Sequence, residues 1–199
     1  RDRLRSRGLG DVYKRQVFNY FKKHFFRISS YIIMKYKNET VRRQDRLLDY
    51  EKACELLKSG EYGVLSMQSD SGEGAYGIPV NYVWDRGNSI YLHCAPAGRK
   101  LRCIAQCNKV SFCVVGRTQV QPAQFTTEYE SIVLECEAHA SLHEAERMSA
   151  LSLLVSKYSP DHKVVGMDYA AKSFHRTEII RLDILEFSGK CKNMGGNHQ

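Results

Sequence analysis

The sequence predicts a mainly β protein with flanking helices, in which six antiparallel strands roll into a small closed or nearly closed barrel. Three observations carry this. Six short apolar or alternating runs read as strands, most are joined by turns of hairpin length, and only a few segments show a helical period. No G-x-G-x-x-G leads from a strand into a helix, since Gly72–Gly77 runs on into the strand-like "AYGIPVNYVW", which argues against a doubly wound dinucleotide fold.

Taken in order, the segment 45–58 sets Leu47, Leu48, Ala53, Cys54, Leu56 and Leu57 at helical spacing, with Gly60 placed to end the helix. "YGVLSM" (62–67) is a strand, "SDSGEG" a turn and "AYGIPVNYVW" (75–84) a second strand. Asp85-Arg86-Gly87-Asn88 turns the chain into "SIYLHC" (89–94), so these three strands are expected as an antiparallel meander. A short helix over 99–106 has Leu101, Ile104 and Ala105 on its apolar side, and "KVSFCVVG" (109–116) is the fourth strand. "RTQVQPAQFTTEY" (117–129) is read as a long loop, and "SIVLECEAHASL" as the fifth strand. The helix over 144–157 turns Met148, Leu151, Leu154 and Val155 inward and is broken by Pro160. A mixed segment then reaches Phe174, 177–190 closes the sheet, and 191–199 forms a flexible tail.

The formal charge of +8 is concentrated at one end. Residues 1–33 hold nine Arg and Lys against two Asp, leaving +1 for the other 166 residues. "RDRLRSRGLGDVYKRQ" has no apolar period and resembles a translated adaptor remnant, and "VFNYFKKHFFRISSYII" reads as translated upstream DNA running into Met34. Residues 1–33 are therefore expected to be a non-native or disordered extension, and 34–190 a single domain. The competing reading of the first segment, a basic aromatic membrane-surface anchor, is the weaker one, and Lys22, Lys23, His24 and Arg27 interrupt any spanning run. Seven cysteines, an odd count without a clear signal peptide, point to reduced thiols and a cytoplasmic protein. Neither a nucleic-acid nor a membrane partner is expected for 34–199.

Two stretches carry chemistry. In "IYLHCAPAGRK" a strand ends at His93 and Cys94, turns through Ala95, Pro96 and Gly98, and opens a helix onto Arg99 and Lys100. Free N–H groups at a helix start, a flexible glycine and two cations suit a phosphate. In "GIPVNYVW", Pro79 cannot donate to a ladder and marks an edge or bulge, where exposed backbone groups could read the polar edge of a planar heterocycle while Val80 and Tyr82 cover its face. Strand alternation sets Cys94 on the face opposite His93 and favours its burial. Cys103/Cys107 and His139/His143 have ligand-like spacing without a four-ligand pattern, so no metal site is expected.

With "YGVLSM", "YGIPVNYVWD", "IYLHCAPAGRK", "NKVSFCVVGRTQV" and "FTTEYESI" in this order, residues 40–190 resemble the pyridoxamine 5′-phosphate oxidase-like flavin-binding split-barrel proteins, and within them the nitroimidazole-resistance group. The resemblance implies a six-stranded antiparallel split β-barrel and a homodimer with FMN at the subunit interface. It assigns the FMN phosphate to Gly98, Arg99 and Lys100, with Cys94 and Ala95 beside them. Pro79, Val80, Asn81 and Tyr82 match the strand along the isoalloxazine ring. Gln124, Phe125, Thr126, Thr127 and Ser131 match the part that completes the pocket, from the other subunit in that picture. His93 matches a histidine beside the flavin and is the candidate catalytic residue. The function expected is an FMN-dependent oxidoreductase that takes electrons from a small donor to an electron-poor small molecule such as a nitroimidazole. The alternative is a flavin- or heme-binding carrier or sensor without turnover.

Overall fold

The computed structural model describes residues 34–193; the expectations for 1–33 and for most of the tail lie outside them. Eight strands are found: β1 (Lys35–Tyr36), β2 (Tyr62–Gln68), β3 (Ala75–Asn81), β4 (Val83–Trp84), β5 (Ser89–Cys94), β6 (Lys109–Gln121), β7 (Thr126–His139) and β8 (Glu178–Lys192). Four helices accompany them: α1 (Tyr50–Ser59), α2 (Arg99–Gln106), α3 (Glu144–Tyr158) and α4 (Lys163–Ser173). The six expected strands are all present. The count rises to eight because the second is divided at Tyr82 into β3 and β4, and because two-residue β1 joins β8 in parallel.

The strands run β3-β2-β6-β7-β8-β5-β4 across one sheet. Apart from β1, every pairing is antiparallel. β3 and β4, the two ends of that order, are consecutive in the chain. The sheet therefore curls until one segment serves both edges, and the barrel is split where that segment changes partner. The expected meander is corrected accordingly: β3 pairs with β2, only β4 pairs with β5, and β5 lies otherwise along β8.

Alternation decides what fills the barrel. Leu65 of β2, Phe112 of β6, Leu134 of β7 and Leu182 of β8 are fully buried, and α1 covers them with Ala53 and Leu57. Asp49 caps α1 by accepting from the Lys52 N–H at 2.8 Å, so the helix starts there, and Gln44–Arg46 forms a separate 3-10 turn. Gly60 follows α1 with φ −56°, so it is no left-handed cap; a Cβ there would stand 2.7 Å from the Tyr82 hydroxyl and from Val114. A second apolar cluster forms where Leu151 and Leu154 of α3 and Ala170 of α4 pack over Val83 and Ile179. This explains why neighbouring Ile179 and Ile180 are both buried: β8 is covered there on both faces. The mixed segment before Phe174 contains α4, which its weak apolar periodicity concealed.

The segment 117–129 is no loop. β6 and β7 run past the rest of the sheet, paired as far as Gln121↔Thr126 across a 3-10 turn at Pro122–Gln124, after a register shift between Val115 and Thr118. Thr and Val favour extended backbone, and pairing satisfies groups that a loop would leave to water.

Gly63 lies against the Phe112 ring and 2.8 Å from the Cys113 carbonyl, measured from where a Cβ would stand. Gly63→Ala is expected to lower stability by about 1–3 kcal/mol through overpacking, read as a lower urea midpoint at unchanged m.

Candidate functional site

The split in the barrel is where the chain gathers polar chemistry. An open cleft of about 300 Å³, solvent included, is lined by Tyr76 of β3, Cys94 at the end of β5, the connection Ala95, Ala97 and Gly98, and Arg99, Lys100 and Leu101 of α2. Gly98 precedes α2 at φ 148°, ψ 175°, a conformation that side chains disfavour, and a Cβ on it would meet nothing within 4 Å. It would project into open space beside the helix start, where a ligand must approach the backbone. No side chain caps α2, and its first internal hydrogen bond is Arg102 N–H to the Gly98 carbonyl at 3.3 Å. The N–H groups of Arg99, Lys100 and Leu101 thus have no acceptor among the described residues, and they sit at the positive end of the helix. This donor set fits a phosphate group.

The two expected cations behave differently. Arg99 donates from Nε to Asp70 at 3.0 Å and from Nη2 to Ser69 Oγ at 3.1 Å, and its guanidinium lies 4.2 Å over the Tyr76 ring. Asp70 also accepts from Arg102 at 2.9 Å, and its carbonyl accepts from Gln106 at 2.8 Å. The Arg102 and Arg99 guanidiniums hold the Asp70 carboxyl below the usual carboxylate range. Arg99 is therefore fixed in direction and charge-compensated by the β2–β3 turn, a contribution the sequence reading missed. An acidic residue in a Gly/Ser turn gives no sign of its distant partner. Lys100 is half-buried on the cleft wall, and its charge reaches His93 and Cys94.

His93 and Cys94 do lie on opposite faces, but Cys94 is the one that lines this cleft. Burial pushes the Cys94 thiol up, so it stands there as a neutral thiol. His93 is exposed on the other face of β5. Desolvation, then the Lys100 ammonium, pushes its pKa below the ordinary 6.5, so the ring is neutral at pH 7.

The expectation for β3 is corrected in one respect. Val80 packs against the core, and the Tyr82 ring is fully buried 5.1 Å from Phe112, its hydroxyl donating to the Leu57 carbonyl at 2.7 Å. Neither side chain faces outward. Pro79 and Asn81 do, because alternation inverts the assignment. β3 is an edge strand, as Pro79 predicts.

Gln124, Phe125, Thr126 and Thr127 sit at the tip of the β6–β7 hairpin, Phe125 97% exposed at φ 50°, and Ser131 lies along β7 opposite Val115 and Lys190. Lys192 at the far end of β8 donates to Thr126, whereas Cys94 pairs with Glu178 at its beginning. The two halves of the expected pocket are thus separated by nearly the whole of β8, roughly 45 Å of extended strand. Within one chain the structure does not bring them together.

The other paired residues have structural partners. His139 meets Asp183 at 3.2 Å in a network where Arg181 joins Asp183 at 2.8 Å and Glu146 of α3 at 2.7 Å. His143 caps α3, and Cys103 is buried. No group of three or more possible metal-binding side chains occurs among the described residues. Nor is any helix among them long and apolar enough to cross a membrane.

A family model described as pyridoxamine 5′-phosphate oxidase matches residues 49–191. Comparison with curated proteins finds no match. Among solved structures, the chain is similar to a candidate 5-nitroimidazole antibiotic resistance protein from Bacteroides thetaiotaomicron (14% identity, TM-score 0.59, covering 73% of this chain and 86% of that one). It is also similar to the FAD and heme binding protein from Mycobacterium smegmatis (16%, 0.61, 76% and 75%). A third similar structure is an FAD-binding protein from Mesorhizobium loti (18%, 0.51, 74% and 98%).

Asp70→Asn is expected to raise affinity for inorganic phosphate several-fold, on the order of 3- to 10-fold at low salt, by uncovering Arg99 and Arg102. Isothermal titration at two ionic strengths checks this; a weaker-binding variant would show that Asp70 mainly orients Arg99.

Proposed function

This chain belongs to the pyridoxamine 5′-phosphate oxidase family, and from that premise we propose that it is an FMN-dependent oxidoreductase acting on a small electron-poor substrate, with nitroaromatics such as nitroimidazoles as the leading class. One observation carries the reading: unpaired N–H groups of the α2 first turn face a cleft that also holds Lys100 and Arg99, at the split of a flavin-binding type of barrel. Bound flavin would supply the electron chemistry, accepting from a reduced donor and delivering to the substrate. The protein's part is to hold and orient it.

In this reading the terminal phosphate lies on the N–H groups of Arg99, Lys100 and Leu101, the Lys100 ammonium adds a point charge, and Gly98 lets the backbone approach. The free edge of β3 offers N–H and C=O groups to the polar edge of the ring system, with Pro79 and Asn81 on the outward side. His93, neutral at pH 7 and on the face of β5 opposite Cys94, would offer a hydrogen bond to a substrate reaching that face rather than a positive charge.

The reading includes a homodimer. The hairpin tip carrying Gln124–Thr127 lies by the end of β8 remote from Cys94 and is absent from the cleft lining of its own chain, so in this reading a second copy supplies it. Val115, Val120, Phe125 and Val133 are 54%, 67%, 97% and 43% exposed along that hairpin, an apolar surface that association would cover. The alternative, a carrier or sensor without turnover, draws on the heme and FAD binding relative from Mycobacterium smegmatis.

The first test is the visible spectrum of the purified protein, followed by identification of any released chromophore. Flavin bands and FMN support the proposal; a sharp heme band, or a colourless protein that refuses added FMN, rejects it. The double variant Arg99→Ala, Lys100→Ala should weaken FMN binding by roughly 10- to 100-fold, as expected for losing the Lys100 charge-assisted contact together with the partly compensated Arg99 charge at a partly exposed site. His93→Ala should leave FMN affinity unchanged and slow nitroaromatic reduction by on the order of tenfold; equal rates would make His93 structural.

A further inference from the structure

We infer that Lys157 and Tyr158, the last two residues of α3, are positioning residues for the cofactor strand, holding the backbone at Tyr82 in place of a missing strand partner. The inference rests on the flavin reading of β3.

Tyr82 is the residue at which the chain leaves β2 and joins β5, so neither ladder uses its backbone. Its N–H donates to the Tyr158 hydroxyl at 2.9 Å. Its carbonyl accepts from Lys157 Nζ at 3.0 Å and lies 2.7 Å from the Tyr158 hydroxyl oxygen, which is also 2.6 Å from the Glu61 carbonyl, so the two carbonyls share its single proton. Lys157 donates in addition to the Gly60 carbonyl at 2.7 Å, and its ammonium lies 3.9 Å from the centre of the Tyr82 ring. Two adjacent side chains thereby tie the end of α1, the start of β2 and the β3–β4 crossing to α3. Asn81, immediately before the crossing, completes the tie by donating to the Glu61 carbonyl at 2.9 Å.

A surface lysine would be satisfied by water, so the placement of this one over an aromatic face and two carbonyls demands an explanation. Bracing a strand that must stay open at its edge is such an explanation. A ladder partner at Tyr82 would close the split, whereas a side-chain clamp satisfies the same groups and leaves the edge of β3 free.

The clamp is sensitive to protonation. The groups facing Lys157 are Glu61 from the link before β2, Tyr82 from the crossing and Tyr158 on its own helix. Desolvation outweighs the Glu61 carboxylate and brings the Lys157 pKa down to about 8. Below that pH the ammonium makes charge-assisted bonds; above it, the neutral amine makes weaker ones. FMN affinity should therefore fall as pH rises through about 8. Stability contributed by this group moves the other way. Unfolded Lys157 keeps its proton up to the ordinary lysine value of 10.5, so raising the pH from about 8 to 10.5 favours the folded apoprotein relative to a variant lacking the amine.

The test is FMN titration by fluorescence quenching from pH 7 to 9, where the phosphate charge is constant, on wild type, Lys157→Met, Lys157→Arg and Tyr158→Phe, with thermal melts of each apoprotein. Lys157→Met is expected to weaken binding about tenfold at pH 7 and to give a flat pH profile, with Lys157→Arg recovering most of the loss. Tyr158→Phe, which retains the charge, should weaken binding and keep the inflection near 8. A folded Lys157→Met with wild-type affinity, or a wild-type profile without an inflection, overturns the inference while the flavin reading stands. Should Lys157→Met not fold, the wild-type profile and Tyr158→Phe decide it. Failure of wild type to bind FMN at all would remove the flavin reading, and this inference with it.

Discussion

At Tyr82 one strand has to serve two edges of the same sheet, and the rest of the architecture follows from that crossing. β3 ends against β2, β4 begins against β5, and a barrel that would otherwise close is left open between them. The residue at the crossing cannot use its backbone in either ladder, yet its side chain is fully buried. Burial without hydrogen bonds would cost about 1–3 kcal/mol for each polar group, so its partners have to come from elsewhere. They come from α1 through the Leu57 carbonyl and from α3 through Lys157 and Tyr158. Gly60 is glycine for the same reason, since no Cβ fits beside the Tyr82 hydroxyl.

The cleft inherits its character from the split. Tyr76 on one side and Cys94 on the other belong to strands that do not pair, and α2 starts in the gap between them. A helix start elsewhere on the surface would be an ordinary charged end. Here it combines unsatisfied donors, a glycine held at φ 148° and a half-buried ammonium, next to an edge strand with free backbone groups. Asp70 adjusts this arrangement from the β2–β3 turn, fixing Arg99 in direction while cancelling part of its charge. Anchoring and charge are thereby divided between Arg99 and Lys100, two residues that the sequence presents as equivalent.

The sequence made the strands legible because burial on one face writes a period of two into it, as in "KVSFCVVG" and "SIVLECEA". The helix start at Gly98 was readable from local chemistry in the same way, whereas the first helix, expected from residue 45, begins only after its cap at Asp49. Less was visible where both faces are covered: Ile179 and Ile180 break alternation because α3 lies over β8, and α4, with valines exposed at 164 and 165, has no clear apolar stripe. Which of Val80, Tyr82, Pro79 and Asn81 turn to the core was not legible, because a strand's inward face depends on its partner. The cleft assignment of Cys94 rather than His93 depends likewise on which face of β5 meets the split.

What the sequence by itself determined is local: six strand segments, the amphipathic helices, an edge marked by Pro79 and a phosphate-type helix start at Gly98–Lys100, each written by contacts within a few residues along the chain. Only the tertiary structure decided which edges meet, that Asp70 holds Arg99, that Lys157 and Tyr158 support Tyr82, and that the β6–β7 tip lies at the far end of β8 from α2. These pairs stand about 30 to 75 residues apart in sequence, and nothing local records them. The sheet's curl brings or fails to bring them together, and that curl is set by the sum of all its pairings.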